Sequence, residues 1–179
     1  MKIKGKHVAL CGLFCALLAI SSKIQISTPI IPFTMQTATF LLCLLILPNY
    51  QPLITIAVYI FAGLIGLPIF AQGGGFAYLL NPSFGYLLGF LITALLKGVF
   101  QKQPSQTYKV LLITSLIAIT ITHLIGNLYC YAVLTLNLNI KITLLQSFIS
   151  YGLIFIPIDI VWAILCPLLS QRLIKSTNL

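Results

Sequence analysis

Glutamate is absent from this chain, and aspartate occurs once, at Asp159. Only 6% of the 179 residues are charged. A soluble domain needs about a quarter of its residues charged to cover its surface, so a water-exposed globule is excluded. The remainder is 60% hydrophobic, with a mean hydropathy of +1.11. This is the composition of an integral membrane protein whose surface mostly faces lipid.

Other absences narrow the function. No nucleotide-binding P-loop is present: the triplet Gly73-Gly74-Gly75 is not followed by the Gly-Lys-Ser/Thr signature. Any uphill transport must draw its energy from another chain. No Cys-x-x-Cys pair occurs among Cys11, Cys15, Cys43, Cys130 and Cys166, which all lie in apolar runs and read as small packing residues. No Ser-His-Asp or metal-ligand pattern appears, and the two histidines, His7 and His123, are far apart. One acid and two separated histidines leave an enzyme little to work with. We therefore expect no catalytic residues, no metal and no cofactor. The net charge of +9 would suggest nucleic acid in a soluble protein. Here the basic residues flank apolar runs without interleaved aromatics, which points to membrane topology and excludes a nucleic-acid partner.

Turning to what is there, a membrane helix needs roughly 20 apolar residues, fewer where it is short or broken. Six candidate spans follow: 8–26, 35–47, 52–70, 83–100, 109–134 and 142–173, within one membrane domain covering 1–179. The fold class is all-α. Residues 1–22 resemble a signal peptide, but no convincing cleavage site follows, so they read as a retained first helix. With six spans and the N-terminus in the cytoplasm, the inner side receives Lys2, Lys4, Lys6, Lys97, Lys102, Lys109, Arg172 and Lys175. The outer side receives only Lys23 and Lys141. That bias obeys the positive-inside rule and puts both termini in the cytoplasm.

Three segments are irregular: Pro29 to Thr37 between spans one and two, Gln72 to Tyr86 between spans three and four, and the sixth span around Ile156-Pro157-Ile158-Asp159. Irregular backbone at membrane depth survives only when protein or a polar cavity surrounds it. On this topology all three can line one outward-facing pocket. A carboxylate in hydrocarbon costs at least a few kcal/mol. Asp159 is thus read as a ligand contact, with two other roles open: partner to His123, Asn127 or a tyrosine, or member of a proton relay. Gly74 and Gly75 allow close backbone approach to a ligand. Asn81-Pro82 has the form of a helix start, and Asn81 serves as a cap, a ligand contact or both. Gln36 can donate and accept near the top of the second span. Tyr78 and Tyr86 are either interface-belt residues or walls of a slot. Gly85 and Gly89 fit a helix-packing face, as do Gly12 and Ala16 on the first span, whose partner is another helix of this chain or of another protein.

Four segments carry a resemblance: Pro32-Phe-Thr-Met-Gln-Thr37, Gly66-Leu-Pro-Ile-Phe-Ala-Gln-Gly-Gly-Gly75, Asn81-Pro-Ser-Phe-Gly-Tyr-Leu-Leu-Gly-Phe90 and Pro157-Ile-Asp159. In order and over the whole length, the chain resembles the BioY family, the biotin-binding S components of energy-coupling-factor (ECF) transporters. The resemblance implies a six-helix bundle in the cell membrane that binds biotin from outside. It also implies a transmembrane coupling subunit and two ATPase subunits as partners, with Gly12 and Ala16 at the docking positions. Asp159 matches the family aspartate, a suitable acceptor for the paired N–H groups of biotin's ureido ring, with Asn81 beside it and the stretch Pro29 to Thr34 as a lid. Three positions depart from the family pattern. Phe84 replaces a glycine and is expected to reshape the pocket. Ile158 replaces another glycine. Trp162 stands where the family often has a lysine, leaving Lys23, Lys141 or the helix end near Asn81 to hold the ligand carboxylate. The rival readings are the same scaffold serving a related vitamin or precursor such as dethiobiotin, and a membrane scaffold with no small ligand.

Overall fold

The computed structural model describes residues 5–26, 30–100 and 107–177. Pro29 and the basic residues Lys2, Lys4 and Lys102 lie outside the described residues. Helix α1 (Gly5–Lys23) leads into a two-stranded antiparallel ribbon, β1 (Gln25–Ile26) and β2 (Phe33–Thr34), in which Gln25 faces Thr34 and Ile26 faces Phe33. Helix α2 (Gln36–Ile46) follows at once. Leu47 is extended, as a residue before proline must be, and Pro48 ends the helix. Helix α3 (Gln51–Leu64) starts with Pro52 in its first turn, where the missing N–H is harmless.

The third apolar run is expected to stay helical to Phe70, but α3 stops at Leu64. Gly66 takes a left-handed conformation, with φ of 113°. Such a residue closes a helix because no Cβ opposes it. Pro68 then prevents resumption. Residues 65–75 fold back, and an isolated bridge pairs Phe70 with Gly73. One 3-10 segment (Phe76–Leu80) leads to α4 (Phe84–Phe100), and α5 (Tyr108–Leu136) follows.

The last run is also irregular, but upstream of the expected position. A single α turn, α6 (Leu144–Ser147), widens to a π turn at Phe148–Gly152 and tightens to a 3-10 turn at Leu153–Phe155. Helix α7 (Ile156–Thr177) then runs to the end of the described chain. Pro157 thus sits where the irregular turns pass into regular α-helix, inside one continuous helical run, and Asp159 lies in the first turn of α7. The π turn brings Gly152 against Asn127: a Cβ at Gly152 would lie 2.7 Å from Asn127 Nδ2.

Three segments are long and apolar enough to cross a membrane: Gly5–Lys23, Tyr108–Leu136 and Leu144–Ser176. The shorter apolar helices α2, α3 and α4 pack among them. Helix α2 is central and buried on most of its circumference, as a helix apolar all round should be. Its main neighbour is α7, while α4 packs along α5. Gly85 and Gly89 make that second contact close: Tyr129 and the Gly126 carbonyl face Gly85, and Thr122 faces Gly89. The small-residue pair on α4 is thus an internal packing face. Gly12 and Ala16 differ: they lie on the exposed side of α1, and a Cβ at Gly12 would meet nothing within 4 Å.

Candidate ligand-binding site

The ribbon, the start of α2 and the inner faces of α4, α5 and α7 enclose a cavity of about 700 Å³, counted out to its open mouth. Aromatic rings form much of its wall. Phe40 of α2 stacks on Phe90 of α4, with centroids 4.1 Å apart. On the other side, Phe33 of β2 stacks on Phe155, whose ring also lies nearly parallel to His123, while Tyr86 meets both His123 and Phe155 edge-on. A Cβ at Gly126 would lie 2.8 Å from the Tyr86 ring, so this glycine makes room for the tyrosine.

Asp159 lines this cavity and is only 4% exposed. Its Oδ2 lies 2.6 Å from His123 Nε2. An ionised carboxylate only accepts, so the imidazole donates from Nε2. The other carboxylate oxygen, Oδ1, has no protein partner among the described residues. Of the three roles read for this aspartate, the pairing with His123 is present, through one oxygen only. Two more lining groups lack partners, Thr122 Oγ1 and His123 Nδ1.

Apart from the Thr122 hydroxyl, most side-chain donors along the wall are already engaged. Tyr86 Oη donates to the Tyr151 carbonyl at 3.0 Å. Ser83 Oγ donates to Asn81 Oδ1 at 2.7 Å, so Tyr78 Oη, 2.9 Å away, donates to Ser83 Oγ. Gln36 Nε2 donates to Tyr59 Oη at 2.8 Å, and that hydroxyl donates to the Ile69 carbonyl at 2.7 Å. The pattern offers a ligand acceptors more than donors.

Of the residues picked from sequence, Asp159, Gln36 and Tyr86 line the cavity, and Tyr78 joins them as a wall rather than a belt residue. Asn81, Gly74 and Gly75 are not among the lining residues. Asn81 Oδ1 accepts from the Ser83 backbone at 2.9 Å, and its Nδ2 donates to Gln72 Oε1 at 2.6 Å. Its carbonyl oxygen and one amide hydrogen are used in shaping the entry to α4. Gly74 packs against the Leu67 carbonyl, and the Gly75 N–H donates to the Gly63 carbonyl at 2.7 Å. The glycine run closes the loop onto the end of α3. Phe84 is buried against Phe70, Tyr78 and Tyr129, so it fills the core rather than the cavity. Ile158 and Trp162 are likewise not lining residues.

Sequence reasoning missed Thr122 and Phe155, named His123 only as a candidate partner of Asp159, and reached Phe33, Thr34, Thr37 and Ser83 only as parts of irregular segments; all of them line the cavity. His123 had one available signal: it is a polar residue in the apolar run of α5, as Asp159 is in that of α7. The lid expectation covers lining residues Ile31, Pro32, Phe33 and Thr34, of which Ile31 and Pro32 are buried.

The loop after α3 is fastened to the top of α1. Ser22 Oγ lies 2.7 Å from the Ile69 carbonyl, Lys23 Nζ donates to the Phe70 carbonyl at 2.6 Å, and Gln25 Nε2 donates to the Ala71 carbonyl at 3.2 Å. Tyr59, 1% exposed, ties the same loop to Gln36 in the cavity wall. Tyr59→Phe strips a buried amide of its acceptor and is expected to cost about 1–3 kcal/mol. Thermal melting in detergent reads this as a lowered Tm, and an unchanged Tm would remove Tyr59 from the set of structural anchors.

Comparison with known proteins places this geometry. The sequence model of the BioY family matches residues 1–178. A probable biotin transporter BioY of Lysinibacillus sphaericus is 35% identical over 169 residues, covering 94% of this chain and 86% of the relative. The biotin transporter BioY of Thermotoga maritima is 28% identical over 166 residues, covering 92% and 93%. Among solved structures, the crystal structure at 2.1 Å of an S-component for biotin from an ECF-type ABC transporter superposes with a TM-score of 0.80 at 30% identity, covering 95% of this chain and 91% of that one.

Proposed function

The chain belongs to the BioY family, and from that premise we propose that it captures biotin for ATP-driven uptake, as the substrate-binding S component of an ECF transporter. It is a multi-pass protein of the cell membrane. In this reading it binds and does not catalyse. Six helical segments cross the bilayer, both termini face the cytoplasm and the ribbon end faces outward. The coupling subunit and two ATPase subunits supply the motor that the sequence lacks.

One observation carries the substrate assignment: a carboxylate oxygen without a protein partner among the described residues, set in an aromatic cavity where the hydroxyls of Tyr78, Ser83 and Tyr86 donate within the protein. Biotin's fused rings present a ureido group with two N–H donors on an otherwise apolar body. Asp159 Oδ1 accepts one of them as a charge-assisted hydrogen bond. Thr122 and His123 hold further acceptors in the same lining. Phe40, Phe90, Phe155 and Tyr86 flank the rings. The residues of the proposed site are therefore Asp159, His123, Thr122, Gln36 and Tyr86. Residues 31–34 cover the ligand after entry.

The open face of α1 at Gly12 and Ala16 serves the coupling subunit, where small side chains permit close helix approach. Detergent-purified protein is expected to bind biotin saturably in a calorimetric titration. Gly12→Leu should keep that binding, because nothing lies near this position within the chain, yet abolish copurification with the coupling subunit. Absence of saturable biotin binding by folded protein would overturn the substrate reading, and retained copurification would overturn the docking assignment.

A further inference from the structure

We infer that the cavity takes its ligand by the ring alone and gives the ligand's carboxylate no charged partner, so that amides and esters of biotin are ligands alongside the free acid. The inference rests on the biotin reading above and extends it to a broader substrate class.

The first argument is a count of charge. Among the described residues, no lysine or arginine lines the cavity. Residues 27–29, outside the description, are Ser-Thr-Pro and carry no charge. Lys23, the basic residue at the end of α1 nearest the ribbon, donates to the Phe70 carbonyl at 2.6 Å. Lys141 is exposed and absent from the lining. Trp162 holds the position where a lysine is expected from the family pattern and does not reach the cavity wall. The titratable lining groups are Asp159, His123, Tyr78 and Tyr86. With the imidazole neutral, the lining bears one negative charge; with it protonated, the lining is neutral. In neither state does a positive charge remain for a second carboxylate.

The second argument concerns donors. A carboxylate only accepts hydrogen bonds. The hydroxyls of Tyr78, Ser83 and Tyr86 donate within the protein, and one amide hydrogen of Gln36 does the same. An anion placed beside Asp159 would meet a like charge and, besides the Thr122 hydroxyl and the second amide hydrogen of Gln36, few free donors, and burying an unpaired charge is costly. The low-energy pose therefore puts the neutral ureido ring at Asp159 and the carboxylate toward the mouth, where water solvates it. Removing the carboxylate's charge then changes little.

The test is a calorimetric or radioligand-competition series on the purified full chain with biotin, biotinamide and biotin methyl ester. The amide and the ester are expected to bind within about fivefold of biotin. A weakening beyond that for both derivatives, with biotin still bound, would overturn the inference while leaving the biotin reading intact. No saturable binding of biotin itself would instead overturn the function and the inference with it, so the two failures are distinct. Lys23→Gln gives an independent arm. Because Lys23 also fastens the loop after α3, the readout is the ratio of biotin to biotinamide affinity, which is expected to match that of the unaltered protein; a loss for biotin but not for the amide would show Lys23 holding the carboxylate and would refute the proposal.

Discussion

Asp159→Asn is expected to weaken biotin binding at least tenfold, a loss of about 1.4 kcal/mol or more. The substitution keeps the size of the side chain and can still accept from His123 Nε2. It removes the charge that strengthens a hydrogen bond from a ureido N–H, and charge-assisted bonds are roughly twice as strong as neutral ones. It can also turn an N–H toward a ligand that brings N–H groups of its own. His123→Gln is the companion variant. It retains a donor, and its loss of affinity is expected to be smaller, because His123 positions a carboxylate whose Oδ1 remains. Titration calorimetry on detergent-purified variants, with thermal melts to verify folding, provides the measurement. A folded Asp159→Asn protein with unaltered affinity would show that this carboxylate serves only its neighbour on α5.

Gly89→Val is expected to produce the largest structural effect. A Cβ at Gly89 would lie 2.8 Å from Thr122 Cα and 2.9 Å from the Thr122 carbonyl oxygen. Both are backbone atoms, so no side-chain rotation relieves the contact. Helix α5 must move off α4, and overpacking of this kind costs about 1–3 kcal/mol. The displacement acts directly on the site, because Thr122 and His123 line the cavity from that stretch of α5. The variant should show both a lowered Tm and a loss of biotin affinity of about tenfold or more. Gly12→Ala is the control: no atom stands within 4 Å of its added methyl, and alanine is the better helix former, so its Tm should not fall. Unaltered melting and binding in Gly89→Val would mean that α4 and α5 are not in close contact.

How much of the site was legible differs from residue to residue, for physical reasons. Asp159 stood out because a lone acid in an apolar run costs free energy wherever it is left unpaired. Gln36 and Tyr86 followed from their places beside irregular backbone, and both line the cavity. Asn81, Gly74 and Gly75 were selected by the same logic but serve the loop: their polar groups close on Gln72, Ser83 and Gly63. Residue type indicates that a backbone turn or a cap is needed; it does not indicate whether a ligand or a neighbouring carbonyl fills that need. Hydropathy likewise ran the third span through to Phe70, past Gly66 and Pro68, because apolar content does not register a left-handed residue. Pro157 was read as an interruption, and the helical run Leu144–Ser176 does lose its regular α pattern over the residues just before it, Phe148–Phe155, although which turns would form there was not legible.

The sequence by itself determined that the chain lives in a membrane, that its long apolar runs are helical, that it holds no ATP-hydrolysing loop, and that Asp159 needs a polar counterpart. These are properties of composition and local periodicity, and each can be judged within a single segment. Only the tertiary structure decided which polar groups face one another. His123 and Asp159 are 36 positions apart and belong to different helices, yet meet at 2.6 Å; Phe33 and Phe155 close the same wall from opposite ends of the chain. Such meetings depend on how α4, α5 and α7 cross, which is set by the sum of many small packing contacts rather than by any one residue's preference.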